Sequence, residues 1–133
     1  MKIFVDSSAV AALIIKNDEN HESAVISLKQ MTERNVEMVL SNFILAETYN
    51  LIAARTYPGK AREWILTNTW TVERVTPADE NEALKIIEKY ADKDFSYTDA
   101  TSFSMIKRLG LNLAFTFDRH FRQYGILTQK EFQ

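Results

Sequence analysis

The chain has 133 residues, 46% hydrophobic and 26% charged, with a formal net charge of −2 and no cysteine. That length suits a single domain over residues 1–133, able to bury roughly two thirds of its unfolded surface without disulfide staples. The missing cysteines exclude a thiolate zinc site, a catalytic thiol and a disulfide framework. The acidic balance excludes nucleic-acid binding by overall charge, leaving a local basic patch or metal ions that invert the sign of an acidic site.

Residues 2–5 form a short β-rich run ended by Asp6-Ser7-Ser8. Ser7 or Ser8 can cap a helix running to Lys16. The apolar run 9–15 inside it follows an acid, lacks a small-residue cleavage site and is too short to span a bilayer, so it reads as a buried helix. Neither a membrane nor a secretory segment is expected, and cysteine-free composition fits the cytoplasm. Residues 20–34 carry Ala24, Val25, Leu28 and Met31 at helical spacing. A second strand is expected over 36–40. Ser41 or Asn42 then caps a helix bearing Ile44, Leu45, Tyr49, Ile52 and Ala53, which Pro58-Gly59 breaks. A further helix holds Trp64 and Ile65.

A third strand is expected over 71–75, interrupted by Glu73 and Arg74. Pro77 opens the next helix at its first position, with Ala83, Ile86, Ile87 and Tyr90 on its apolar face. Ser96 caps a helix to Leu109, which Gly110 stops. Residues 113–117 are almost wholly apolar, as in a central strand. Phe121 and Tyr124 sit on a short turn or helix, and Ile126-Leu127 forms an edge strand. Alternating strands and helices imply right-handed crossovers, hence a mostly parallel sheet of four to five strands covered on both faces. Sites in such sheets lie beyond the carboxyl ends of the strands, near the switch point.

Most of the 18 acidic residues must be solvated surface. Position selects four. Asp6 and Asp118 each stand just after a strand; Glu47 lies on a helix among Ile44, Leu45 and Ala46; Asp99 is in the first turn of a helix. Each has a structural alternative. Asp6 and Asp118 suit helix caps, Glu47 an exposed helix charge, and Ser96-x-x-Asp99 a capping box. Converging carboxylates would repel one another, and a cation resolves that. Oxygen donors without cysteine or suitably spaced histidine favour Mg²⁺ or Mn²⁺ over zinc. Such ions activate water and stabilise the leaving oxygen in phosphodiester hydrolysis.

Four segments carry a family likeness: Ile3-Phe4-Val5-Asp6-Ser7-Ser8-Ala9, residues 41–47 ending in Ala46-Glu47, Phe95-Ser96-Tyr97-Thr98-Asp99-Ala100, and Thr116-Phe117-Asp118-Arg119-His120-Phe121. In order and separation the chain resembles the PIN domain, and more narrowly the VapC-type toxin ribonucleases of prokaryotic toxin–antitoxin pairs. The resemblance covers nearly the whole chain. It implies a three-layer α/β/α sandwich, a Mg²⁺ or Mn²⁺ site and endoribonuclease activity on RNA. It matches Asp6, Glu47, Asp99 and Asp118 to the family's acidic positions, and Ser7 and Thr116 to supporting polar ones. Asp94 stands as a further outer acid, and Arg119 as a candidate phosphate contact or a solvent-facing arginine. The resemblance also implies a homodimer and, for toxins, an antitoxin whose tail covers the site.

Other readings are weaker. His21 and His120 form a conceivable acid–base pair. There is no Gly-x-Ser-x-Gly elbow, no glycine-rich first turn, no second Asp two residues after Asp6, and no well-placed lysine for a receiver domain. Lys60, Arg62, Lys107, Arg108, Arg119 and Arg122 read as scattered charges as readily as a patch. Trp64 and Trp70 suit core or interface. A PIN-like module binding RNA or protein without cutting, or a non-toxin RNA-processing nuclease, remains the alternative.

Overall fold

The computed structural model describes residues 1–132 and forms one sheet of five parallel strands. In chain order the elements are β1 (Lys2–Val5), α1 (Ser7–Ile14), α2 (His21–Glu33), β2 (Glu37–Ser41), α3 (Asn42–Arg55), α4 (Pro58–Thr67) and β3 (Thr71–Glu73). They continue with α5 (Pro77–Lys89), α6 (Tyr97–Arg108), β4 (Leu113–Phe115), α7 (Arg119–Tyr124), β5 (Leu127–Thr128) and a 3-10 turn over Gln129–Phe132.

The strand order is β3-β2-β1-β4-β5. The chain leaves β1 toward β2 and β3, then crosses back to β4 and continues outward to β5. Right-handed crossovers therefore put α1 to α4 on one face and α5 to α7 on the other. The packing agrees: α1 rests on α2 and α3, α3 on α4, α5 on α6, and α6 on α7. This is the expected α/β/α sandwich. The direction reverses between β1 and β4, so the crevice at their carboxyl ends is the switch point. Register sets Val5 opposite Phe115 there.

The central strands are buried on both faces, with Ile3, Phe4, Val5, Leu40, Ala114 and Phe115 all sealed from solvent. Trp64 is buried and Trp70 packs half-buried against the core, so the tryptophan pair is structural. Among the described residues no helix is long and apolar enough to cross a membrane.

Several expectations shift locally. The first helix is capped by Asp6, not Ser7 or Ser8, and ends at Ile14. On α2 the inward stripe is Ala24, Ser27 and Met31, with Leu28 beside it; Val25 sits about 100° off that stripe and is exposed. Ile87 likewise faces outward from α5, where Ala83 and Ile86 carry the packing. The third strand stops at Glu73. The fourth stops at Phe115, because Thr116 and Phe117 leave the ladder to bond side chains at the crevice. The fifth is Leu127–Thr128, one residue later than expected. Gly110 and Gly125 follow helices with φ of +68° and +104°, a region that side chains with a Cβ rarely adopt.

Candidate metal centre

Asp6 is where β1 becomes α1. Its amide still donates to Phe115 O (3.0 Å), extending the β1–β4 pairing, while its extended backbone makes it the N-cap of α1. Oδ2 accepts from Ser8 N (3.4 Å), Ser8 Oγ (2.6 Å) and Thr116 Oγ1 (3.0 Å). Burial pushes the carboxyl up to about 6, against the pull of the Ser8 and Thr116 hydrogen bonds and with added repulsion from Asp118 and Glu47. The charges of three of the four acids therefore meet at one point.

Two hydroxyls aim Asp6. Ser8 Oγ donates to Asp6 and accepts from Phe117 N (2.9 Å); Thr116 Oγ1 donates to Asp6 and accepts from Asp118 N (2.9 Å). Each thus ties the end of β1 to the loop leaving β4. Thr116 is itself held by Gln129, fully buried, whose amide accepts from Thr116 N (3.0 Å) and donates to Thr116 O (2.9 Å). Glu47, on the second turn of α3, is held by a hydrogen bond from Ser7 Oγ.

Asp99 opens α6 through a complete capping box. Its amide donates to Ser96 Oγ (3.0 Å) and its Oδ2 accepts from Ser96 N (3.1 Å). His120 Nδ1 lies 2.8 Å from Asp99 Oδ2 and 3.4 Å from Asp118 Oδ1. Carboxylates only accept here, so Nδ1 is the donor. Phe95 packs edge-on against the imidazole at 5.5 Å. Asp118 caps α7 by accepting His120 N at 2.9 Å. Ligand atoms of Asp99, Asp118 and His120 lie within 4.8 Å of one another. Asp6 and Glu47 do not join a group that compact, although their charges reach the same crevice.

One pattern unites the four carboxylates. Each uses one oxygen to hold itself in place and, among the described residues, leaves the other without a hydrogen bond. The engaged atoms are Asp6 Oδ2, Glu47 Oε1, Asp99 Oδ2 and Asp118 Oδ1. Among the described residues, the fully enclosed side-chain atoms lacking a partner are Gln30 Oε1 and Thr48 Oγ1. None of the four free carboxylate oxygens is among them; Asp6 and Asp99 are buried, and Glu47 and Asp118 half-buried. No Lys or Arg ion-pairs with these acids among the described residues. Oriented, half-free, mutually repelling oxygens without a protein cation fit a hard divalent metal.

Asp94 is exposed in the turn before Ser96, and among the described residues no bond links it to the other acids. Arg119 is exposed beside Asp118. His21 is tied to Ala12 O (2.7 Å) and His120 to the acids, so no contact pairs the two histidines. Sequence reasoning missed the part that three residues play. Ser8, considered only as a cap, aims Asp6. His120 joins Asp99 to Asp118, and its place two residues after a strand-end acid was the available signal. Gln129 had no local signal, since its partner is fixed only by the β4–β5 pairing.

The sequence matches the PIN domain family over residues 3–127. The chain belongs to that family. It is 31% identical over 129 residues to the 23S rRNA-specific endonuclease VapC20 of Mycobacterium tuberculosis, covering 94% of this chain and 95% of that protein. The crystal structure of VapC20, a Sarcin-Ricin loop cleaving toxin, matches with a TM-score of 0.83 at 30% identity, over 94% of this chain and 96% of that one. VapBC2 from Rickettsia felis, bound to a DNA fragment from its promoter, matches at 0.73 with 13% identity, over 96% and 97% of the two chains. FitAcB from Neisseria gonorrhoeae matches at 0.70 with 16% identity, over 96% of each. At those identities the last two speak to the fold alone.

Proposed function

We propose that this chain is a divalent-metal-dependent endoribonuclease hydrolysing RNA phosphodiester bonds, and the cytoplasmic toxin of a toxin–antitoxin pair. Its ion is Mg²⁺ or Mn²⁺, its assembly a homodimer and its partner a cognate antitoxin. The observation that carries the reading is the half-engaged state of the four carboxylates at the switch point. Identity of 31% over nearly the full length to an endonuclease specific for 23S rRNA supports RNA as the substrate class.

Asp6, Glu47, Asp99 and Asp118 would hold the ion through their free oxygens. Ser8 and Thr116 hold Asp6 in position, Ser7 holds Glu47, and His120 spaces Asp99 from Asp118. Arg119 meets phosphate and Asp94 serves as an outer acid. Hydrolysis adds a water oxygen to phosphorus and expels one ribose oxygen, which takes a proton. A bound divalent ion supplies water activation and offsets charge on the phosphate oxygens. Retention of all four acids argues against a module that binds without cutting.

The test is cleavage of an RNA panel with Mg²⁺, with Mn²⁺ and with EDTA. Cleavage is expected with either ion and none with EDTA; undiminished cutting in EDTA would sink the metal assignment. Toxicity is read separately. Growth arrest on expression, relieved by a partner gene, is expected, whereas harmless expression of active enzyme leaves an RNA-processing nuclease.

A further inference from the structure

A cleft of 270 Å³ opens directly beside Asp118, lined among others by Asn20, Arg119, Arg122, Thr128 and Lys130. Its charge is opposite to that of the chain. The whole sequence has 16 Lys and Arg against 18 Asp and Glu, yet this cleft gathers three cations and a single acid, Asp118. Arg119 and Arg122 stand three residues apart on one face of α7. Lys130 arrives from the opposite side, on the 3-10 turn after β5. All three side chains are exposed, and among the described residues none is ion-paired. By contrast, Arg108 from the sequence-level patch is spent on Asp79, and with Lys107 it lines a separate depression. That patch therefore does not exist as a unit. The basic surface at the site is a different set, completed by Lys130.

Three unpaired cations facing one concavity repel one another, and an anionic guest removes that repulsion. Both walls are fixed before a guest arrives. Arg119 follows the cap residue of α7, and Lys130 follows Gln129, which is clamped to the Thr116 peptide. Guanidinium groups present forked donors that match phosphate oxygens.

We propose that this cleft is a subsite for RNA phosphodiester backbone, holding the strand on one side of the bond to be cut through Arg119, Arg122 and Lys130. The proposal rests on the reading of the chain as an RNA nuclease. It adds where the substrate runs: a strand lying over Asp118 continues between α7 and the 3-10 turn.

The test uses the full chain, with a fluorescein-labelled single-stranded RNA oligonucleotide followed by anisotropy in EDTA, across about 50 to 200 mM salt. Replacing Arg119, Arg122 and Lys130 singly by Gln is expected to lower the slope of log affinity against log salt by about 0.7 each, and by about 2 in the triple variant. Lys29→Gln and Lys85→Gln, on other surfaces, leave the slope unchanged. All five side chains are exposed, and thermal melts confirm that the variants fold. A triple variant that binds with wild-type affinity and slope overturns the subsite. Cleavage by the wild-type chain in Mg²⁺ is measured alongside. A chain that cuts RNA but shows no slope change refutes the cleft alone; a chain that neither cuts nor binds RNA refutes the nuclease reading as well.

Discussion

Helices α5 and α6 begin with the same device and end in different chemistry. Each opens with a hydroxyl residue, two spacers and an aspartate: Thr76 to Asp79, and Ser96 to Asp99. Each forms both halves of a capping box, and each aspartate is buried. At Asp79, Arg108 Nε and Nη2 reach Oδ1 and Oδ2 at 2.8 and 3.0 Å, so both oxygens are taken. Burial works to raise that carboxyl, but the Arg108 and Thr76 hydrogen bonds outweigh it and hold the carboxyl below the usual range. At Asp99 the neighbour is His120, whose Nδ1 engages the already occupied Oδ2 and leaves Oδ1 free. A local motif thus builds a helix start in both places. What differs between the two is whether the second oxygen has a protein partner.

The sharpest way to break the comparison is to neutralise each aspartate. Asp99→Asn keeps the shape and an oxygen for the cap, so the melting temperature should barely move, while cleavage falls about 10³-fold or more through loss of a ligand. The paired change, Asp79→Asn, should do the reverse. Losing the charge that Arg108 pairs with costs about 2 kcal/mol of stability, and cleavage measured well below the melting temperature stays intact. Equal loss of activity in both would mean that Asp99 is only a cap.

Titration sharpens the same contrast between Asp79 and Asp6. Burial raises the folded carboxyl of Asp6 to about 6, above the ordinary 3.8 of an aspartate. Its contribution is therefore fully present below about pH 4 and lost as pH rises through 6. In metal-free protein this opposes folding by about 3 kcal/mol at pH 8. Asp6→Asn removes that loss, so the metal-free variant should melt higher than wild type at pH 8 and equally at pH 4. Saturating Mg²⁺ should shrink the gap. Asp79 has the opposite sign, since its lowered carboxyl contributes stability above its unfolded value and loses it in acid. A wild-type melting curve flat in EDTA from pH 4 to 8 would contradict the Asp6 assignment.

The smallest effects come from the caps. Ser96→Ala and Thr76→Ala each remove one acceptor and should each cost about 1 kcal/mol. Only Ser96→Ala should also lower cleavage, because losing the Ser96 Oγ acceptor for Asp99 N loosens the first turn of α6, which carries Asp99. Identical kinetics for the two variants would show that the box at α6 does not serve the site.

Much of this was legible in the sequence because the strand–helix alternation and the strand-end acids are local signals. Asp6 and Asp118 follow from topology. Asp99 illustrates the limit: capping and ligation were competing explanations in the sequence, and the structure shows the cap on Oδ2 while leaving Oδ1 without a partner among the described residues. His120 was weighed with His21 as an acid–base pair, whereas its partners are Asp99 on α6 and Asp118 at the cap of α7. Gln129 and Lys130 were illegible, since a buried amide and an exposed lysine look alike in sequence until β5 docks beside β4. The exposure of Val25 and Ile87 is similar. Helical period identifies a stripe, but the neighbouring layer decides which edge of it is covered.

The Thr116–Asp6 hydrogen bond spans 110 residues, and the peptide that carries Thr116 is secured from position 129. Synthesis proceeds from the other end. A nascent chain on the ribosome displays Asp6, Glu47 and Asp99 long before it has Thr116, Asp118 or the amide that fixes them. Helices α1 to α4 can gather around β1 and β2 meanwhile, yet β1 still lacks its neighbour on one side. The hydrogen-bond set that orients Asp6 therefore cannot assemble until the chain has been made past Gln129.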